Sequence, residues 1–253
     1  MLSGTGAVGD IFTTLNVVDA YLNSPLHGQV FAEVLGHDLD LIKERLSSVK
    51  AFVANPPGRS LNWGISPHAP YTLSAAATDQ VFAFAKKHAL QSTIHLAESE
   101  SESEFLHDGT GAIVDRLFSS ARWDPLLSPP PGCSPVGSLC CEGRLKKGDL
   151  VVHGVHVDAS DIEMLKQGGC SVALCPRSNA ALNVGKAPVS DYLKAGISCA
   201  LGTDILASSE SLYIWDEIAF AIECFAGASE PRDWLEIDIL GGAKALGIEE
   251  RMG

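Results

Sequence analysis

Seven short apolar or β-branched runs, separated by longer stretches with helical spacing, constrain what this chain can fold into more than any other feature. The runs are Ala7–Phe12, Val30–Leu35, Leu61–Ser66, Ser92–Leu96, Leu150–Val155, Ser171–Cys175 and Ile197–Gly202. Between them, helical periodicity covers Asp38–Ala54, Ser74–Ala89, Glu100–Ser119, Ala159–Gln167, Val189–Ala195 and Leu212–Phe225, with a further stretch near Ile237–Leu246. Near-continuous apolar strands alternating with helices describe an α/β parallel sheet with helices along its outer face. Asp158 is placed as an N-cap, and Gly168-Gly169 and Gly196 close helices before the next strand.

One segment breaks the rhythm. Arg122–Gly137 carries prolines at 125, 129, 130, 131 and 135, which forbid a continuous helix or a central strand, so it is expected to be a surface excursion. Alternation resumes after it, so residues 1–253 are expected to form a single barrel-type domain. The GTGAVG run at Gly4–Gly9 resembles a dinucleotide-binding turn, but its glycines stand before a strand rather than between a strand and its helix.

Charge narrows the partners. With 18 Lys+Arg against 31 Asp+Glu and no basic run, the chain is a poor match for nucleic acid or an anionic membrane surface, and a small-molecule partner is expected. No apolar stretch has the ~18 residues of a membrane helix. Met1–Asp10 lacks the basic start and apolar run of a signal peptide, so a cytoplasmic location is expected. Seven cysteines without CxxC spacing, three of them (Cys170, Cys175, Cys199) in apolar runs, fit reduced buried thiols.

In α/β barrels, active sites are assembled at the C-terminal ends of the strands. There the sequence offers His68 (ISPHAPYTLS), His95 and Glu98 (IHLAESE), His153 (LVVHGVH) and Asp204 (ALGTDILASS). Residues three apart on a regular strand face opposite ways, so His95 and Glu98 share a site only if the chain turns just after His95. The same rule admits one of His153 and His156, and His153, directly behind the apolar run, is the better placed. Imidazole and carboxylate from different strands suit a borderline cation such as zinc. His27 and His37 are read as loop histidines, and His88 and His107 as helix-surface ones.

The ordered set SPHAPYTLS, IHLAESESE, VVHGVH, LCPRSNAAL and ALGTDILASSESLYIWDEI resembles the amidohydrolase superfamily in its deaminase and chlorohydrolase branch. Through LCPRSN, GTDxLAS and the GCSP segment it is most similar to aminofutalosine deaminase-like enzymes, with the adenosylhomocysteine and methylthioadenosine deaminases close behind. The resemblance implies a (β/α)8 TIM-like barrel whose strands two to eight are the seven runs above. It also implies one divalent metal, usually zinc, with His95 and Asp204 as two of its ligands. Asp204 would also accept the water proton, Glu98 would pass a proton to the substrate ring, His153 would orient the attacking hydroxide, and His68 would contact substrate. Arg177 of the PRSN run would either hold substrate or form an ion pair.

The implied reaction is hydrolytic deamination of an adenine-containing nucleoside such as aminofutalosine. Chloride loss from a triazine-like ring, or a non-catalytic paralogue, are the alternatives. The His-x-His pair that such enzymes carry on their first strand does not occur in this sequence, and nothing between Met1 and Ala7 offers that strand. The expectation is therefore a fragment of a longer enzyme, lacking the first strand and the sandwich domain, whose two free strand edges favour association into a homo-oligomer. Ile205 also departs from the small polar residue that relatives often carry there.

Overall fold

A computed structural model describes residues 4–54, 60–227 and 229–252. Seven parallel strands form one sheet in sequence order: β1 (Ala7–Phe12), β2 (His27–Val34), β3 (Leu61–Pro67), β4 (Gln91–Leu96), β5 (Leu150–His153), β6 (Ser171–Leu174) and β7 (Ser198–Leu201). Neighbouring strands are joined through helices, as parallel pairing demands. These are α1 (Val18–Leu22), α2 (Leu39–Val53), α3 (Ala75–Lys87), α4 (Glu100–Asp108), α5 (Pro135–Cys140), α6 (Ala159–Gly168), α7 (Pro176–Ala181) and α8 (Val189–Ala195); α9 (Ile214–Cys224), α10 (Pro231–Glu236) and α11 (Gly242–Ala245) follow β7. The architecture is that of a TIM-like (β/α) barrel, incomplete in that β1 and β7 do not pair. Among the described residues no helix is long and apolar enough to cross a membrane.

Strand parity divides the core. Val30, Ala32, Trp63 and Ile65 point outward and pack under α2 and α3, while Ile94, Val151, Val172 and Cys199 point outward beneath the later helices. The opposite parity faces the barrel interior. On β2 it runs Gln29, Phe31, Glu33 from base to mouth, and on β4 Gln91, Thr93, His95. Phe31 fills the middle of the barrel: a Cβ on Gly64 would lie 2.3 Å from its ring, so only glycine fits opposite it. The base is stoppered by the segment after α10. Gln29 donates to the carbonyl of Leu246 (3.2 Å), Gln91 to that of Ala245 (2.6 Å), and Ala245 packs inside against Leu150, Val152, Ala173 and Ala200.

Several expected boundaries move. β2 begins at His27, so that histidine is a strand residue and not a loop one. The expected helix Glu100–Ser119 stops at Asp108, because Gly109 takes a left-handed φ of 69° and caps it, and a wider π-type turn follows at Ile113–Phe118. The stretch near Ile237–Leu246 likewise divides into a π-type turn, Ile237–Gly241, and α11. The proline-rich excursion is exposed for much of its course but ends inside the fold. Ser134 caps α5, Pro135 occupies its first turn, where a missing N–H costs nothing, and Pro135, Val136 and Leu139 are buried. The free edge of β7 is not bare: the Cys199 carbonyl points off it, and Gly241 packs so closely there that a Cβ would lie 1.9 Å from that oxygen. Of the interval between Met1 and Ala7, Met1–Ser3 lie outside the described residues.

Candidate active site

At the C-terminal end of the sheet, backbone turns rather than strand parity decide which side chains enter the mouth. β4 places His95 inward by parity. Ala97 then takes a φ of 54°, the chain turns, and Glu98 swings back toward the same space. On β5 parity alone would point His153 outward with Val151. A φ of 73° at His153 reverses it, and the imidazole comes to lie beside that of His95, with centroids 5.5 Å apart. Asp204 follows β7 with a φ of 57°. Left-handed backbone at non-glycine residues is costly and persists where surrounding structure holds it.

Here the holding contacts can be named. Gly154, Val155 and His156 donate their N–H groups to the carbonyls of Leu96 and Ala97 (2.8–3.1 Å), and the Tyr192 hydroxyl donates to the carbonyl of Gly154. Glu102, on α4, accepts from the N–H groups of Ala97 and Glu98 at 3.0 and 2.9 Å, and burial pushes its carboxyl up to about 8 against that pull.

Hydrogen bonds also fix which ring nitrogen of His95 and His153 faces the mouth. His95 Nδ1 lies 3.0 Å from the carbonyl of His68, an acceptor, so Nδ1 carries the proton and Nε2 presents a lone pair. His153 Nδ1 donates to Asn179 Oδ1 at 2.9 Å, with the same result. His68 Nδ1 lies 3.0 Å from the Thr72 hydroxyl, which also reaches the carbonyl of Ala69 at 3.0 Å. Burial lowers the pKa of all three imidazoles; His153 adds to the effect on His95, and His95 to that on His68. Burial thus favours the neutral form of each.

His95, His153 and Asp204 each bring one donor atom to a common point, all within 4.8 Å of one another. Asp204 Oδ2 accepts from Ser178 (2.5 Å) and Ser208 (3.1 Å), which orients the carboxylate and leaves Oδ1 for the mouth. Glu98 Oε1 stands 3.6 Å from His153 Nε2. Its carboxyl is held above the usual range chiefly by burial, with Asp204 adding to the rise and His95 opposing it. Two neutral imidazoles and an oriented carboxylate make a donor set that suits zinc or a similar divalent ion.

His68 joins the group at the next position around the rim, its ring 5.1 Å from that of His95. His156 does not join: its Nε2 bonds the carbonyl of Val184. Nor does Arg177. Its backbone N–H and Nε bond the buried Glu217 (2.9 and 2.7 Å), and its terminal nitrogens bond Ser211. The guanidinium therefore anchors α7 to α9 and is not presented to a substrate. Three residues beyond those read from the sequence belong to the site. Ser178 and Asn179, in the PRSN run, fix Asp204 and His153. Glu33 points into the mouth from β2, and its signal was a lone charge inside the apolar run VFAEVLG.

The family model described as "Amidohydrolase family" matches residues 2–253. The chain belongs to the amidohydrolase family. Among curated amidohydrolase relatives, it is 32% identical over 255 residues to an aminodeoxyfutalosine deaminase of Deinococcus radiodurans, covering 96% of this chain and 60% of that one. It is 31% identical over 260 residues to a 5-methylthioadenosine/S-adenosylhomocysteine deaminase of Halobacterium salinarum, covering 98% and 55%. The crystal structure of Helicobacter pylori aminofutalosine deaminase superposes with a TM-score of 0.85 at 25% identity, covering 97% of this chain and 62% of that one. This amidohydrolase chain thus spans somewhat more than half the length of the relatives it matches.

Proposed function

We propose that this amidohydrolase barrel carries out metal-dependent hydrolytic deamination of an adenine-containing nucleoside, of the kind named for its relatives, in the cytoplasm. The observation that carries the reading is the convergence of His95, His153 and Asp204 on one point with the carboxyl of Glu98 beside it. His95 and Asp204 would hold the ion, and His153 Nε2 is directed at the same place. Zinc fits these donors; when bound, it lowers the pKa of water and stabilises negative charge at the reacting carbon.

The chain's own residues do the rest. Asp204 Oδ1 takes the proton of the attacking water, its other oxygen being tied to Ser178 and Ser208. His153, held in one tautomer by Asn179, directs that water toward the ring carbon bearing the amino group. Glu98, its carboxyl raised by burial, passes a proton to the adjacent ring nitrogen; the proton taken up by Asp204 goes to the amino group, which leaves as ammonia, and the added hydroxyl returns its proton to Glu98 as the ring carbonyl forms. His68 lines the substrate side of the rim. Association of this barrel with a second copy is part of the proposal, through the edge of β1, whose outer side pairs with no strand among the described residues.

The test is ammonia release from adenosine-type nucleosides by the intact protein supplied with zinc. Glu98→Gln should lower kcat by about 10²–10⁴-fold, the usual worth of a positioned acid. Undiminished turnover in that variant would overturn the assignment.

A further inference from the structure

We propose that Glu102 is a positioning residue for the reaction: its carboxylate, acting through the backbone of Ala97 and Glu98, sets where the Glu98 carboxyl stands in the mouth. The inference rests on the role given to Glu98 above and names the group on which that role depends.

Ser99 and Glu102 stand at the start of α4 with the spacing of a capping box, in which the hydroxyl takes the N–H of the fourth residue and the carboxylate returns to the N–H of the first. Half of that box forms. Ser99 Oγ accepts from the Glu102 N–H at 3.3 Å, but the carboxylate passes Ser99 by and reaches upstream of the helix. Its Oε1 accepts from the N–H of Ala97 (3.0 Å) and its Oε2 from that of Glu98 (2.9 Å), so both oxygens are spent on the peptide groups that flank the left-handed Ala97. On the other side, the Ala97 carbonyl accepts from the N–H groups of Val155 and His156 at 2.8 Å, just beyond His153. The peptide group that turns Glu98 inward is therefore clamped between α4 and the end of β5, and Glu98 Oε1 comes to lie 3.6 Å from His153 Nε2.

Helix capping alone does not account for this arrangement. Ser99 already serves the first turn of α4, and Glu102 is fully buried with no ion-pair partner among the described residues. Burial pushes its carboxyl up to about 8, a cost that an apolar side chain in the same place would not carry. What the carboxylate supplies is two acceptors on one planar group. A glutamine has a single acceptor oxygen and sets its NH2 against the second N–H, so only the acid holds both peptide groups. A left-handed alanine is unfavourable by itself, and once released from these bonds it would carry Glu98 away from its place.

The experiment is a double-mutant cycle on the zinc-supplied chain, read as ammonia release from adenosine, with amide hydrogen exchange and zinc affinity followed in each variant. Glu102→Gln should lower kcat about 10–100-fold, the effect of displacing a reacting group by about 1 Å, with KM and zinc affinity within about twofold. Exchange at the Ala97 and Glu98 amides should quicken about tenfold or more, while the later amides of α4 stay protected. Placed on Glu98→Gln, the same change should lower kcat by less than about twofold further, because the group it positions no longer carries a proton. Ser99→Ala, which removes the cap and spares both bonds, should lower the melting temperature with kcat nearly unchanged. Ala97→Gly adopts the left-handed turn unaided, so in that chain Glu102→Gln should cost severalfold less kcat, a comparison that stands even where the single variant folds poorly. An undiminished kcat in Glu102→Gln, a full further loss in the Glu98→Gln chain, an equal loss in the Ala97→Gly chain, or a loss from Ser99→Ala as large as that from Glu102→Gln would overturn this inference alone. Full turnover in Glu98→Gln, or no ammonia release from the unaltered chain, would overturn it together with the reading it rests on.

Discussion

Gln29 and Glu33 point inward from the same face of β2, as Gln91 and His95 do from β4, so each strand carries one polar side chain at the base and one at the mouth. At the base the amide hydrogens end on backbone carbonyls of the stopper, Gln29 on Leu246 and Gln91 on Ala245 and Gly148. At the mouth, Glu33 Oε1 stands 4.0 Å from His68 Nε2, and His95 presents a lone pair alongside that of His153. Polarity is common to both ends. What separates a structural end from a reactive one is that the base ties its amide hydrogens to backbone carbonyls, whereas the mouth gathers donor atoms of His95, His153 and Asp204 on one point.

Variants at the two ends sharpen that contrast. The largest effect is expected at the mouth, where Asp204→Asn removes an anionic donor from the three-residue cluster. Zinc affinity, measured by competition with a chromogenic chelator, should fall by about 100-fold or more, while the melting temperature of the metal-free chain stays nearly unchanged. In the middle of the barrel the balance reverses. Gly64→Ala forces a Cβ against the Phe31 ring and should cost about 1–3 kcal/mol in denaturant unfolding. At the base, Gln91→Leu leaves two carbonyls without their donor and should cost about 1–2 kcal/mol with zinc affinity unaffected. Equal losses of zinc affinity from both Gln91→Leu and Asp204→Asn would break the distinction.

The smallest effect is a pH dependence near the base. Burial raises the Asp238 carboxyl from its ordinary value to about 6. Between the unfolded value near 4 and that folded value, the native chain holds a proton the unfolded chain has lost, so stability falls as pH rises through this window. Allowing for solvent screening at a group this exposed, the change should be under about 1 kcal/mol, and Asp238→Asn should flatten it in melts taken from pH 4 to 7.

The strands were legible because apolar, β-branched runs at these lengths have few alternatives, and strand ends in such a sheet direct attention to His68, His95, His153 and Asp204. Glu33 was equally visible, a charge at the inward parity of an apolar run, and was passed over because it has no partner nearby in sequence. Ser178 and Asn179 stood in a noted motif, but what they hold lies 26 residues away in each case, beyond local patterning. The left-handed turns at Ala97, His153 and Asp204 could not be read at all, since none is glycine and each is imposed by contacts from other strands and helices. Arg177 was left open between a substrate contact and an ion pair, and the fold decides for the ion pair. A cation in a motif suggests a ligand, and only the fold reveals that Glu217 has claimed it.

The bond from Gln29 to the carbonyl of Leu246 joins positions 217 apart in the chain. A contact of such long range forms late, because the entropy of closing so large a loop must be overcome before it gives anything back. During synthesis the early strands therefore wait, their inner faces unsealed, until residue 246 has left the ribosome. That places a period of exposure to misassembly, and to chaperones, ahead of the synthesis of residue 246.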